Sequence, residues 1–479
     1  MSDDSARTRQ ALNAVLERQR EAFLAARPEP LRVRHDRLVR LKSLLVDNGD
    51  ALAAAMSADF GNRSRDMSMM SDVVAAVSLV NYCLRHLARW SRPEKRRPNF
   101  PLGLFGARAE VRLEPKGVVG IVSPWNFPVG LTMNPLSQAL GAGNRAMIKP
   151  SEFTERTSQT MAELIGRYFA EEEVAVITGG ADVGQAFCGL RFDHLLFTGA
   201  TSVGRHVMRA AADNLVPVTL ELGGKSPAIV GRSANLDRAA GRIALGKMIN
   251  AGQICLAPDY VLVPEALERP AIEALSAHAA QMYPTLLGND DYAAIINVRH
   301  RERLKALVAD AVGKGAEAIE VNPTGEDFAS ANANKLPLTI LRNVDNRMRA
   351  MQEEIFGPLL PVRTYRAIDE AIDYVNAHDH PLGLYYFGED KVEEERVLTR
   401  TISGGATVND VMFHVSMDDL PFGGIGASGM GSYHGPEGFR TFSHARAVYR
   451  QPAFDLTRLM GVRPPYGAKI RRTIGIGLK

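Results

Sequence analysis

Cysteine is scarce in this chain: Cys83, Cys188 and Cys255 are the only three among 479 residues. They are odd in number and far apart, and no CxxC spacing joins any two, which argues against a disulfide framework and for reduced thiols in the cytoplasm. An excess of one charge is also lacking. Lys and Arg number 57 against 54 Asp and Glu, and a net charge of +3 gives no reason to expect a nucleic-acid or membrane partner. No run approaches ~18 consecutive apolar residues, so no membrane-spanning helix is expected. The opening MSDDSARTRQ has no apolar core of the kind a secretory signal needs. Internal repeats and low-complexity tracts are missing too. What is present is ordinary for a soluble protein, with 46% hydrophobic and 23% charged residues. The length implies two or three domains of roughly 100–200 residues each.

Apolar residues recur at helical spacing at Leu12, Leu16 and Phe23, and again at Leu38, Leu41 and Leu45 after the break PEP at 28–30. Another helical stretch runs to about Trp90. RPEKRRPNFP, 92–101, then breaks all periodicity and reads as a connector. From 109 to 114 apolar and charged residues alternate, as in a strand with one wet face. After 117, short apolar strands (GVVGIVS, RAMIK, VAVIT, HLLFTG, VTLEL) alternate with helical stretches near 131–143, 153–170, 181–188 and 202–213. That rhythm predicts βαβ units and a parallel sheet. It returns less regularly, with strands expected at 259–264, 337–343, 360–365, 382–388 and 405–409. The basic stretch after 450 reads as a tail packed on a neighbour or as a frayed end.

Several stretches at strand ends carry chemistry-bearing residues, and each also has a plain structural reading. SPWNFP, 123–128, is a stiff turn whose Asn126 amide either caps backbone or points in a fixed direction toward a ligand. KPSE, 149–152, suits ribose hydroxyls, and equally suits a helix start at Ser151. FTGATSVG, 197–204, brings glycines to a strand–helix turn where a pyrophosphate could approach backbone, or is simply a tight βα turn. ELGGKSP, 221–227, places a carboxylate at a strand end, as a solvated loop residue or a general base. Cys255 in NAGQICLAPDY is a core cysteine or a nucleophile, and its turn of Gly252 and Gln253 is not an apolar helix face.

In order along the chain, PWNFP, KPSE, FTGxTxxG, ELGGKSP, GQxC, EEIFGP (353–358) and PFGGIGASGMG (421–431) resemble the aldehyde dehydrogenase superfamily from about residue 10 to about 450. APDY after Cys255 and SGMGSYHGPEGFRTFSHARAV, 428–448, resemble its class 3 branch, including bacterial coniferyl aldehyde dehydrogenases. Asp259 stands where the superfamily at large often has Arg, which is itself a class 3 trait.

The resemblance implies an α/β fold with a Rossmann-like cofactor domain (1–96 and 118–222), an α/β catalytic domain (223–425), a small β bridging element (97–117 and 426–450) and a C-terminal tail (451–479). It implies oxidation of an aldehyde, aromatic or cinnamyl such as coniferaldehyde or medium-chain aliphatic, to the acid, with NAD and some use of NADP. By the same resemblance Cys255 is the nucleophile, as a thiolate. Asn126 and the Cys255 backbone N–H hold the oxyanion, and Glu221 activates the hydrolytic water, its pKa raised among Leu220 and Leu222. Trp125, Lys149, Ser151, Glu152, Gly199, Ala200, Gly204, Leu222, Glu354 and Phe356 are the implied cofactor contacts. Met70, Tyr82, Met248, Met412 and Phe413 are candidates for an apolar substrate funnel. A homodimer is implied, bridged by 109–114 and 437–449, although an edge strand of that pattern is equally a protected solvent edge. A coenzyme-A-acylating enzyme is the alternative within the superfamily, and Glu221 speaks against it. A non-catalytic relative would show decay at these positions, and none is seen. The pair His378 and His380 in NAHDHPLG lacks further metal-ligand spacing, and no metal is expected.

Overall fold

Three sheets carry the chain in the computed structural model, which describes residues 3–330, 333–453 and 455–478. The first has the strand order Gly429–Met430, Val218–Leu222, His194–Gly199, Val118–Val122, Arg145–Lys149, Val174–Val176. All pairs are parallel except the short Gly429–Met430 edge. The chain winds outward from Val118–Val122 through two neighbours, then returns to the other side of the same strand. The reversal therefore lies at the carboxyl ends of Val118–Val122 and His194–Gly199, where an open α/β sheet leaves a crevice for a ligand. Val118, Val119, Ile121, Ala146, Met147 and Ile148 are fully buried, as expected of strands covered by helices on both faces.

The second sheet runs Glu317–Val321, Leu338–Arg342, Leu359–Tyr365, Tyr260–Pro264, Pro227–Val230, Gly383–Phe387, Gly405–Val408, with Glu317–Val321 alone antiparallel. Its core is formed by residues such as Ile229, Val261, Leu262, Leu360 and Tyr385. Glu94–Arg96, Arg108–Pro115 and Ser443–Arg450 make the third sheet, wholly antiparallel.

The segment 92–101, read from sequence as a connector, contains the strand Glu94–Arg96. It is an exposed edge strand, so it needs no apolar alternation. Backbone pairing with 109–111 and ion pairs of Glu94 with Arg96 and Arg440 hold it. Glu317–Val321 is likewise mostly exposed, and its pattern EAIEV hides it. Leu12, Leu16, Phe23, Leu38, Leu41 and Leu45 are all buried, as their spacing predicts. The helical run Arg65–Trp90 is long and apolar enough, by length and composition, to cross a membrane. Here Val73, Ala76, Leu79, Val80, Cys83 and Leu87 are buried in the protein core.

Candidate active site

A cavity of about 1320 Å³ opens where the carboxyl ends of the first sheet meet segments that lead into the second. Asn126, Lys149, Ser151, Glu152, Gly199 and Ala200 reach it from strand ends of the first sheet, as do Glu221 and Leu222. Cys255 reaches it just ahead of Tyr260–Pro264, and Glu354 and Phe356 ahead of Leu359–Tyr365. The cysteine thus sits before a strand of the second sheet, across from the carboxyl ends of the first.

The loop that presents Cys255 is built by unusual backbone. Helix Leu236–Met248 ends, and Asn250, Ala251 and Gly252 follow with φ of 50°, 50° and 73°. At Gly252 a Cβ would lie 2.4 Å from the carbonyl oxygen of Gly357, so the motif glycine is required both by conformation and by space. Gln253 locks the turn. Its Nε2 donates to the carbonyls of Asn250 (2.9 Å) and Ala294 (3.0 Å), and its Oε1 accepts from Ile296 N (3.0 Å). Asn126 is tied to the same turn, with Nδ2 donating to the Gln253 carbonyl at 3.2 Å while its own carbonyl accepts from Asn250 Nδ2 at 3.1 Å. One amide hydrogen is therefore fixed on protein, and the residue lies on the cavity wall. Behind it, Asp72 accepts from Val129 N and Gly130 N (3.1 and 2.9 Å) and pairs with the buried Arg63, which anchors the exit of SPWNFP.

Electrostatics around the sulfur differ from the sequence expectation. Burial, then the charges of Glu354 and Glu221, push the Cys255 thiol up to about 12, while the backbone N–H groups of Cys255 and Leu256 pull the other way. Burial chiefly, with two carboxyls and no cation acting on it, opposes ionisation of the sulfur in the cofactor-free protein. Cys83 and Cys188 are buried free cysteines raised by burial to about 12 and about 11; Lys149 opposes the rise at Cys188, which also touches the cavity wall. Glu221 is 2% exposed, neither carboxyl oxygen has a hydrogen-bond partner among the described residues, and burial raises its pKa well above the ordinary value.

Glu354 is held by a clamp that the sequence did not disclose. Asp259 accepts from Ile355 N at 2.8 Å and pairs with Lys225. Lys225 Nζ also donates to the carbonyls of Ala350 (2.7 Å) and Glu353 (3.1 Å), and Arg303 donates to those of Glu354 (3.2 Å) and Ile355. Burial chiefly, with the Asp259 charge, raises the Glu354 carboxyl to about 7 against the opposing Gly224 N–H, Lys225 and Arg303. Next to it, Phe356 has φ of 51° and stands edge-on to Trp125, with centroids 5.3 Å apart. The Asp259 that sets this chain apart from the superfamily at large is thus half of an ion pair beneath the Glu354 loop.

Lys149 is buried with Nζ on the Pro150 carbonyl (2.7 Å), and Glu152 stands exposed at the rim. The helix start expected at Ser151 falls instead at Glu155. Asp59 caps it, accepting from Arg156 N (2.9 Å) and Thr157 N (2.8 Å), and Ser151 Oγ only closes a local turn by accepting from Phe153 N. Ala200 begins helix Thr201–Ala212 with no side chain capping its first N–H groups, which leaves them for an anion. Gly204 is not on the cavity wall. A Cβ there would lie 2.7 Å from Leu222 Cδ2, so this glycine serves close helix–strand packing. The wall also carries Arg209, Arg299, His300 and Arg303, which no motif singled out. Unpartnered buried oxygens on Thr198, Glu221 and Glu354, the open helix start and the guanidinium groups of Arg209, Arg299 and Arg303 together fit a phosphate-bearing dinucleotide.

The five funnel candidates do not line this cavity. Met70 is 66% exposed, Phe413 is half exposed and Met248 is buried in the second sheet's core. Met412 packs between two core clusters, and the Tyr82 hydroxyl bonds Asp419. His378 Nδ1 lies 2.7 Å from the Tyr374 carbonyl, and among the described residues no group of three potential ligands could hold a metal.

A model of the Aldehyde dehydrogenase family matches residues 3–448. A "Probable coniferyl aldehyde dehydrogenase" of Caulobacter vibrioides is 52% identical over 98% of this chain and 97% of its own length. The "Coniferyl aldehyde dehydrogenase" of a Pseudomonas species is 50% identical over 97% and 96%. Among solved structures, substrate-bound Staphylococcus aureus AldH superposes with a TM-score of 0.90 at 34% identity, covering 97% of this chain and 99% of its own. A Staphylococcus aureus betaine aldehyde dehydrogenase solved with NAD+ gives 0.84 at 25%, covering 94% and 91%. By family model, sequence and fold alike, this chain belongs to the aldehyde dehydrogenase family, enzymes that oxidise aldehydes with NAD or NADP.

Proposed function

We propose that the chain oxidises cinnamyl-type aromatic aldehydes, such as coniferaldehyde, to the carboxylic acid, with Cys255 as nucleophile, Asn126 as oxyanion donor and Glu221 as the base that frees the product. The observation that carries this reading is the meeting of these three side chains, two from separate loops and Glu221 from the end of Val218–Leu222, on one cavity wall. As sulfur bonds to the carbonyl carbon, the Cys255 proton passes to an ionised carboxylate, Glu354 or Glu221, the two whose charges act on the sulfur, and is returned from there to solvent before hydrolysis. Charge then develops on the former carbonyl oxygen. The Asn126 amide, already oriented by the Gln253 carbonyl, stabilises it together with the Cys255 backbone N–H without reorganising. The bound nicotinamide supplies the hydride acceptor that brings the sulfur-held carbon to the oxidation level of an acid. Glu221 takes a proton from water as the water oxygen bonds to the thioester carbon; the C–S bond breaks, the acid departs and the thiol is restored. A buried carboxyl is a stronger base once ionised, which suits Glu221 to this step.

Lys149, Ser151 and Glu152 would hold the adenosine ribose, the Gly199–Ala200 turn the pyrophosphate, and Glu354 the nicotinamide ribose, with Trp125, Leu222 and Phe356 alongside. Exposed Glu152 favours the 2′-hydroxyl of NAD and repels a 2′-phosphate, and nearby Lys149 leaves some use of NADP. Residues 1–96 and 118–222 then form the cofactor-binding part and 223–425 the catalytic part. The free edge of Ser443–Arg450 supports a homodimer formed through the bridging sheet, expected at 97–117 and 426–450 and built by Glu94–Arg96, Arg108–Pro115 and Ser443–Arg450. Three unpaired cysteines fit a reducing cytoplasm.

A panel of aldehydes followed by NADH formation, with and without coenzyme A, tests the reading. Coniferaldehyde is expected among the best substrates, with free acid as product in both arms. Acyl-coenzyme A as the main product, or undiminished oxidation by Cys255→Ala, overturns it.

A further inference from the structure

The chain after GGIGASGMG wraps over the strand that bears Glu221. Gly429 and Met430 pair with Glu221 and Leu220, and a Cβ at Gly431 would lie 3.1 Å from Thr219 Oγ1. Tyr433 then exchanges backbone hydrogen bonds with Phe422 (2.8 and 2.7 Å). Its side chain is fully buried, edge-on to the rings of Phe422 (5.7 Å) and His434 (4.7 Å). The hydroxyl has no partner among the described residues, and neither has either carboxyl oxygen of Glu221. The charges that act on this hydroxyl are those of Glu221 and Cys255. A buried hydroxyl and a buried carboxyl are each costly when unsatisfied, and a water between them would satisfy both.

We propose that Tyr433 is a positioning residue for Glu221: its hydroxyl donates through one water to the Glu221 carboxylate and aims it at the acyl group on Cys255. This rests on the reading of Glu221 as the hydrolytic base. Tyr433 keeps its own proton throughout, since burial and its two acidic neighbours hold it well above the ordinary tyrosine value. It therefore acts only as a donor. A donor favours the ionised carboxyl and so opposes the upward push of burial on Glu221. The other titratable groups here are Glu354 and Tyr385, which act on Cys255, His434 against the Tyr433 ring, and His194, bonded to Thr219 at 2.9 Å. Burial pushes His434 down to about 4 and His194 to about 3, so both stay neutral from pH 6 upward.

Cofactor-free protein and p-nitrophenyl acetate separate the steps: the burst reports acylation of Cys255, and the steady rate reports hydrolysis. Tyr433→Phe keeps the ring. It is expected to keep the burst and to move the acid limb of hydrolysis up by about one pH unit, a loss of about tenfold on the acid side that closes at high pH. Glu221→Gln is expected to lose hydrolysis, and adding Tyr433→Phe to it should slow nothing further. A wild-type pH profile in Tyr433→Phe, or a uniform loss with no shift, overturns the proposal and leaves the Glu221 reading standing. Wild-type hydrolysis by Glu221→Gln overturns both. Should Tyr433→Phe fail to fold by circular dichroism, 3-fluorotyrosine at the same position, an isosteric and stronger donor, is expected to move the limb downward; an unmoved limb overturns the proposal.

Discussion

Glu354→Gln isolates the cost of the buried carboxyl beneath the nicotinamide end of the cavity. In the folded protein that carboxyl is raised from 4.5 to about 7, mainly by burial. Between those values the unfolded chain has released the proton while the native one still holds it. Stability therefore falls as pH rises from 4.5 to 7 and levels off above. At 1.36 kcal/mol per pKa unit, the full penalty is about 3 kcal/mol, of which about 2.5 kcal/mol develops between pH 5 and pH 8. Glutamine keeps the shape and the acceptor for Gly224 N–H but carries no charge. Urea unfolding of the cofactor-free protein should show the variant gaining on wild type by about that amount at pH 8, and by under about 1 kcal/mol at pH 5. Parallel stability curves for the two proteins across this range would refute the reasoning, since Glu354 would then ionise as readily inside the protein as outside.

Asn126→Ala should lower kcat by about 10²–10³ with little change in circular dichroism, because it removes a preorganised oxyanion donor and only one further hydrogen bond, to the Gln253 carbonyl. Asp259→Ala leaves the Lys225 ammonium, 12% exposed, without its carboxylate; a loss of about 3–5 kcal/mol in urea unfolding is expected, and the Asp259→Ala/Lys225→Met pair should recover part of it. Alkylation of Cys255 by iodoacetamide should accelerate up to pH 9 and beyond, as befits a thiol near 12, while Cys83, buried away from the cavity, reacts only after unfolding. Peptide mapping after a timed quench reads all three sites.

Strand-forming runs such as RAMIK and HLLFTG were legible because burial on both faces demands unbroken apolar residues, and the turns between them carry their own glycines. The site was legible for a related reason. Gly252, Gln253 and Asn126 hold backbone in one arrangement, and such arrangements admit few residue types. What stayed hidden depends on contacts across long separations. Asp59 caps a helix nearly a hundred residues on, Asp259 and Lys225 brace a loop at 350–355, and Arg303 reaches that loop from another helix. Gly204 illustrates the converse: a glycine in a phosphate-turn motif whose missing side chain makes room for Leu222. Exposed edge strands such as Glu94–Arg96 escape because their pairing is carried by backbone, which leaves no mark on side-chain pattern.

The central claim is that one sulfur holds the acyl group while Glu221 prepares the water that releases it. Glu221→Gln mixed with coniferaldehyde and NAD, quenched in acid and digested, tests it by mass spectrometry. A peptide containing Cys255 heavier by the acyl group, at close to one per chain, is expected. An unmodified Cys255 peptide, or the adduct on Cys83 or Cys188, would contradict it.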